Sequence, residues 1–249
     1  MHVLQYKKGS ILMDITSYIK NTVANRGKVW IFSDPHLLER GKDTPRITCD
    51  ERRIDVFQGY INAVNLEKDM VIFLGDFVDD TIPMDLTVSM FVKTFNRLVE
   101  TDRKIWVRGN NDMISDQVLK NDRWSVCYAA TATINGKIVV FSHVSIDVSN
   151  YKNTYNVHGH MHRNDGTTMY YYHPCVRCVN LAPVCHKGYV YYLDEVMDLI
   201  DGEAWSTSKW IEGEEKPGMS KFIHEQAISE FDNDFEDIIS GGNDDDDDN

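Results

Sequence analysis

The chain has 249 residues, of which 42% are hydrophobic and 11% aromatic, enough to bury a core and to exclude a wholly disordered polymer. No apolar stretch approaches the ~18 residues of a membrane span, and the N-terminus carries no signal-peptide pattern. The formal net charge of −13 is uneven: residues 203–249 hold 15 acidic and 3 basic side chains, whereas residues 1–202 are nearly neutral, so the body lacks the basic excess of a general nucleic-acid binder.

Residues 11–25 place Ile11, Ile15, Ile19 and Val23 at four-residue spacing and predict an amphipathic helix. Residues 29–32 (VWIF) read as a buried strand, residues 50–66 as a helix, 70–74 as a strand, 86–99 as a helix and 104–107 as a strand. Beyond this alternation the pattern turns mostly to strands. Residues 125–134 and 137–142 flank the hairpin signal Asn135-Gly136, and 156–159, 167–172, 176–181 and 189–193 follow. The fold class expected is α/β, two packed mixed sheets flanked by helices. Residues 1–202 form the expected domain. Residues 203–249 form an acidic C-terminal tail, disordered at its SGGNDDDDDN end, with a candidate partner-binding amphipathic helix over 221–239. The five cysteines, an odd number, point to free thiols and a cytoplasmic location, host cytoplasm if the source is viral. Cys175, Cys178 and Cys185 have poor spacing for a zinc knuckle and read as small buried thiols.

Five apolar runs are each followed at once by polar residues able to bind metal: Ser33-Asp34-Pro35-His36, Gly75-Asp76-Phe77-Val78-Asp79, Arg108-Gly109-Asn110-Asn111-Asp112, Ser142-His143 and Gly159-His160-Met161-His162. In α/β sheets sites form beyond the carboxyl ends of strands, so adjacent strands would gather these residues on one rim. The glycines at 75, 109 and 159 are read as allowing sharp turns there. Asp34, His36, Asp76, Asn110, His143, His160 and His162 offer nitrogen and oxygen and no thiolate. That donor set favours manganese foremost, with iron, zinc, nickel or cobalt as alternatives. Seven ligands exceed one open catalytic metal and suit two metals sharing one carboxylate, roughly 3.5–4 Å apart. Their excess positive charge would attract a phosphate even to an acidic protein.

In order and type these motifs (D-x-H, GDxxD, GN-x-D, a lone His after a strand, G-H-x-H) resemble the calcineurin-like metallophosphoesterases, over residues 29 to about 195, and look most like small phage or bacterial members. The resemblance implies that Asp34, His36 and His162 hold one metal, that Asn110, His143 and His160 hold the other, and that Asp76 bridges them. It implies a metal-bridging hydroxide that attacks phosphorus in line. Asp79 and Asp112 are assigned to the catalytic machinery as orienting groups, and Arg108, Arg163 and His158 to substrate. One departure stands out: Asn111 occupies the place of the family's usual motif His, and an amide delivers no proton near neutral pH. This favours phosphodiesters, nucleotide-derived ones among them, over esters with poor leaving groups. A phosphomonoesterase or protein phosphatase is the alternative enzyme, and a non-catalytic metal-containing binder acting through its acidic tail is the alternative outside catalysis.

Overall fold

The computed structural model describes residues 12–40, 47–49, 51–148, 150–160, 177–182 and 190–202. Strand β1 (Leu12–Asp14) leads into helix α1 (Thr16–Ala24). Then come β2 (Val29–Phe32), a two-stranded ribbon of β3 (Leu38–Arg40) and β4 (Ile47–Cys49), α2 (Glu51–Ala63), β5 (Met70–Phe73), α3 (Met84–Phe95) and β6 (Lys104–Val107). A 3₁₀ turn, Asn96–Glu100, extends α3. The second half holds α4 (Asp116–Asn121), β7 (Ser125–Cys127), β8 (Ala129–Ile134), β9 (Lys137–Ser142), β10 (Thr154–His158), β11 (Cys178–Asn180), β12 (Val190–Tyr192) and α5 (Leu193–Asp201).

Two five-stranded mixed sheets result, flanked by helices in an αββα sandwich. The first has the order β12-β2-β5-β6-β7, parallel except for β12; the second has the order β1-β8-β9-β10-β11. Strand alternation gives the first sheet two chemically different faces. Val29, Ile31, Met70, Ile72, Ile105 and Val107 point into an aliphatic core between the sheets. Trp30, Phe32, Val71, Phe73 and Trp106 point the other way and pack with Phe57 and Ile61 of α2 and Phe91 and Phe95 of α3. The hydrophobic stripes of α2 and α3 therefore cover the aromatic face, while α1 (Ile19) and α5 (Val196, Met197, Ile200) contribute to the aliphatic core.

The structure corrects several expectations. The first element is not one long helix: β1 precedes α1 and pairs parallel with β8. The run 125–134 is not one strand, because Tyr128 separates β7, which pairs with β6, from β8, which pairs with β9 in the other sheet. Helices α4 and α5 and the β3–β4 ribbon lie where none was expected. Among the described cysteines Cys127 is a free buried thiol, but Cys178 is disulfide-bonded, against the expectation of free thiols throughout. The expected strand at 167–172, Cys175, Cys185 and the tail from residue 203 lie outside the described residues. No described helix is long and apolar enough to cross a membrane.

Candidate metal centre

β2, β5 and β6 run parallel and adjacent in the first sheet, and β9 and β10 run parallel and adjacent in the second. The loops that leave their carboxyl ends meet on one rim. The β2 loop is tied to the β5 loop by continued pairing: Asp34 N donates to the Gly75 carbonyl (3.2 Å), His36 N to the Asp76 carbonyl (3.2 Å) and Leu37 N to the Phe77 carbonyl (2.9 Å). The two sheets are joined across the site itself. His160 N, after β10, donates to Asp34 Oδ1 (2.9 Å), after β2, while within the second sheet Gly159 N donates to the His143 carbonyl (3.0 Å).

Two groups of side chains on this rim can hold a metal ion: Asp34, His36 and Asp76, and Asp76, His143 and His160, with ligand atoms in each group within 4.8 Å of one another. Asp76 belongs to both and turns a different oxygen to each. Its Oδ2 lies 3.7 Å from His36 Nε2 and its Oδ1 lies 3.3 Å from His143 Nε2. Asn110 Oδ1 (2.8 Å) and His160 Nδ1 (3.1 Å) converge on the same His143 nitrogen. His143 Nδ1 sits 2.7 Å from the Leu74 carbonyl, which only accepts, so Nδ1 carries a proton and Nε2 faces the other ligand atoms, the acceptor oxygens of Asp76 and Asn110 among them. Asp34, Asp76 and His143 form a buried floor, while His36, Asn110, Asn111 and His160 remain partly open to solvent.

The backbone here is held in an uncommon conformation. Asp34 (φ 48°), His36 (φ 39°), Asp76 (φ 56°) and His160 (φ 66°) are all left-handed non-glycine residues, a strain that persists only where the surroundings over-determine it. Two of the three rim glycines serve close approach and not a turn. A Cβ at Gly109 would collide with the Asp76 carboxylate and backbone, and one at Gly159 would collide with Asp34 and Ser33. Only Gly75 has the left-handed φ that the sequence suggested for all three.

Charge in the floor is strongly coupled. Burial pushes the Asp76 carboxyl up, but the charge and hydrogen bond of His143, with the charge of His36, outweigh it and hold Asp76 far below the ordinary carboxylate range. Burial pushes His143 down, but Asp76, Asp34 and Asp112 outweigh it and raise the imidazole to about 10. To ligate a cation through Nε2, this ring must give up that proton. All the donors are buried or half-buried nitrogen and oxygen atoms crowded onto shared points, a chemistry that fits hard to borderline divalent metals.

The remaining expected site residues divide. Asn111 N donates to Asp76 Oδ1 (3.0 Å), its side-chain amide donates to Oδ2 (2.7 Å), and its carbonyl accepts from Asn110 (3.0 Å). Asp112 accepts from Phe77 N (3.2 Å), Gly109 N (2.8 Å) and Trp106 Nε1 (2.9 Å); burial and the charge of Asp76 push its carboxyl up against those donors. Asp79 closes a turn through Thr81 N (2.9 Å) and Thr81 Oγ1 (2.5 Å). Arg108 is bound to the Ile114 carbonyl (2.5 Å) and to Asp116, which staples the loop after β6. His158 has no exposed surface, with Nδ1 2.8 Å from the Gly159 carbonyl. His162 and Arg163 lie outside the described residues.

Sequence reasoning missed Asn156, a buried amide inside β10. Its Oδ1 accepts from Ile146 N (2.8 Å), and its Nδ2 donates to Ser142 Oγ (2.8 Å) and the Val140 carbonyl (3.1 Å), which fixes the turn that carries His143. A lone amide in an apolar strand was the available signal.

The model of the calcineurin-like phosphoesterases matches residues 27–213. The chain belongs to the calcineurin-like phosphoesterase family. It is thus of a family of metal-dependent phosphoester hydrolases. No curated protein matches the chain. Solved structures similar to this chain include a protein of unknown function, AQ665, from Aquifex aeolicus (16% identity, 70% of this chain and 99% of that one, TM-score 0.46). They also include the nuclease MPE of Pseudomonas putida (17%, 56% and 62%, TM-score 0.37) and an archaeal phosphodiesterase (17%, 64% and 85%, TM-score 0.34).

Proposed function

We propose that this phosphoesterase hydrolyses phosphodiesters, nucleotide-derived ones among them, with two divalent cations, manganese foremost, by in-line attack on phosphorus. The observation that carries the reading is the Asp76 carboxylate, which faces His36 with one oxygen and His143 with the other. Asp34 and His36, with His162, are the remaining ligands of the first cation; Asn110, His143 and His160 are those of the second. When bound, the cations supply Lewis acidity and acidify a water toward neutral pH. The chain's own part is to hold these donors rigid, to keep the floor dry and to leave His36, Asn111 and His160 on the open side that a phosphate approaches.

The diester preference is supported by Asn111. Its amide is engaged with Asp76 and Asn110, and it carries no titrating proton for a poor leaving group. Arg163 is assigned to the phosphate. Asp112 and Asp79 are assigned as positioning groups. The division into a hydrolase domain (1–202) and an acidic tail (203–249) is part of the same reading and is supported by the contrast in charge.

The test is turnover of an activated aryl phosphodiester and the matching monoester by protein stripped of metal and resupplied with Mn²⁺, Zn²⁺ or Ni²⁺. Metal-dependent diester cleavage that exceeds monoester cleavage, and that is lost in Asn110→Ala, is the expected result. Faster monoester cleavage contradicts the diester preference, and metal loading without turnover on any phosphoester favours the binding-protein alternative.

A further inference from the structure

Beneath the rim lies an aromatic cluster in which one indole turns its N–H toward the loops of the metal centre. Trp106, fully buried in β6, packs its ring against Phe73 (4.2 Å between centroids), Phe91 (5.8 Å), Phe95 (5.7 Å) and Trp124 (5.2 Å). A buried indole N–H requires an acceptor. Here the acceptor is no backbone carbonyl but the Asp112 carboxylate, six residues along the chain, at 2.9 Å. The same carboxylate reaches two different loops. Oδ2 accepts from Gly109 N, the residue before Asn110, and Oδ1 accepts from Phe77 N, the residue after Asp76. Phe77 is itself anchored in the cluster, 6.2 Å from Trp106 and 6.3 Å from Phe73.

We propose that Trp106 is a positioning residue for the metal centre: its indole N–H fixes the Asp112 carboxylate, and Asp112 holds the Asp76 and Asn110 loops in register. The proposal rests on the two-cation reading above. The physical reason is geometric. A carboxylate with only the two backbone donors can swing about its Cα–Cβ bond. A third donor, fixed in a close-packed aromatic core, removes that freedom and ties the separation of the two loops to a rigid body. Outer partners of this kind govern how well the ligand atoms meet a cation.

Trp124 supplies the internal control. Its indole belongs to the same cluster and donates to Asp122 (3.1 Å), whose turn carries no residue of the centre. Trp106→Phe and Trp124→Phe therefore remove the same group from neighbouring rings, with opposite expectations. In Mn²⁺ titrations of the full chain by calorimetry, Trp106→Phe is expected to weaken cation affinity about 10–100-fold. It should also lower kcat on the aryl diester more than it changes KM. Trp124→Phe is expected to stay within about twofold of the parent on both readouts, since its acceptor Asp122 holds neither the Asp76 nor the Asn110 loop. A measurement on the unaltered protein stands beside the variants. In ¹⁵N-indole spectra the Trp106 N–H resonance should move on addition of Zn²⁺ while that of Trp124 stays in place. Equal cation affinity and turnover for Trp106→Phe and the parent, or a Trp106 resonance indifferent to Zn²⁺, overturns the proposal. A parent protein that binds no cation overturns the two-cation reading first and the proposal with it, and that outcome is read before any variant is made.

Discussion

Both ends of the first sheet bury charge, and they do so in opposite ways. At the amino ends of its strands, Asp69 accepts from Lys28 N (2.8 Å), Trp30 Nε1 (2.7 Å) and Asn65 N (2.9 Å), and Lys104 donates to the Leu98 carbonyl (2.6 Å). Asp69 and Lys104 thus have complementary partners and lie on ordinary backbone. At the carboxyl ends, Asp34 and Asp76 lie on left-handed backbone, and Asp76 Oδ1, Asn110 Oδ1 and His160 Nδ1 crowd a single His143 nitrogen. Buried charge by itself therefore does not mark a site. Acceptors converging on one point, held by strained backbone, do.

The contrast is broken most sharply by exchanging the effects of two aspartates. Asp76→Asn should lower diester turnover by about 10³-fold, since it removes the charge shared by both ligand groups. Asp69→Ala strands the buried Trp30 indole N–H and leaves the part-buried Lys28 and Asn65 N–H groups to water, and should cost about 2 kcal/mol of stability, with turnover per folded molecule unchanged. Urea unfolding in the presence of a chelator, together with active-site-normalised kinetics, separates the two. Equal stability losses with no loss of turnover in Asp76→Asn would erase the distinction.

A second exchange lies within the rim. His143 is buried between two carboxylates, whereas His36 stands 18% exposed at the edge. His143→Ala should destabilise the metal-free protein by about 3 kcal/mol, because it leaves buried carboxylates unpaired. His36→Ala should cost less than about 1 kcal/mol. Both should abolish high-affinity binding of one cation, as calorimetric stoichiometry will report.

An effect on stability alone, with none on turnover, belongs to the structural end. Burial outweighs Asp122 and Asp102 and lowers Lys104 to about 8 from the usual 10.5. Between those values the unfolded chain binds a proton that the folded chain does not. Stability from this group is therefore least at neutral pH and rises as pH climbs from about 8 to 10.5, by on the order of 2 kcal/mol. Lys104→Met should flatten that slope in denaturant titrations at pH 7 and pH 10, and an unchanged slope would remove Lys104 as its source.

Much of this was legible in the sequence because function and fold share one pattern: a buried apolar run fixes a strand, and the polar residues just after it fall on the rim. Strands β2, β5, β6, β9 and β10 and their loops follow that rule. Three-residue strands such as β1 and β3 are too short to carry a period, and their pairing is decided by distant partners. The break at Tyr128 depends on which sheet each neighbour joins, which no local window contains. Helix α5 did carry its signal, with Leu193, Val196, Met197 and Ile200 at helical spacing and Glu195 accepting from Tyr192 N at 2.8 Å. The aromatic strand residues before it drew the reading toward β. The roles of Gly109, Gly159, Asn156 and Trp106 arise from close approach between elements far apart in sequence, which only the folded chain displays.

In the proposed centre one carboxylate serves two cations through separate oxygens. Electron paramagnetic resonance of the full chain loaded with two equivalents of Mn²⁺ addresses that directly. An exchange-coupled pair signal that disappears in Asp76→Asn, leaving isolated Mn²⁺, is the predicted result. Saturation at one equivalent, or two uncoupled ions whose spectrum is indifferent to Asp76→Asn, would contradict it.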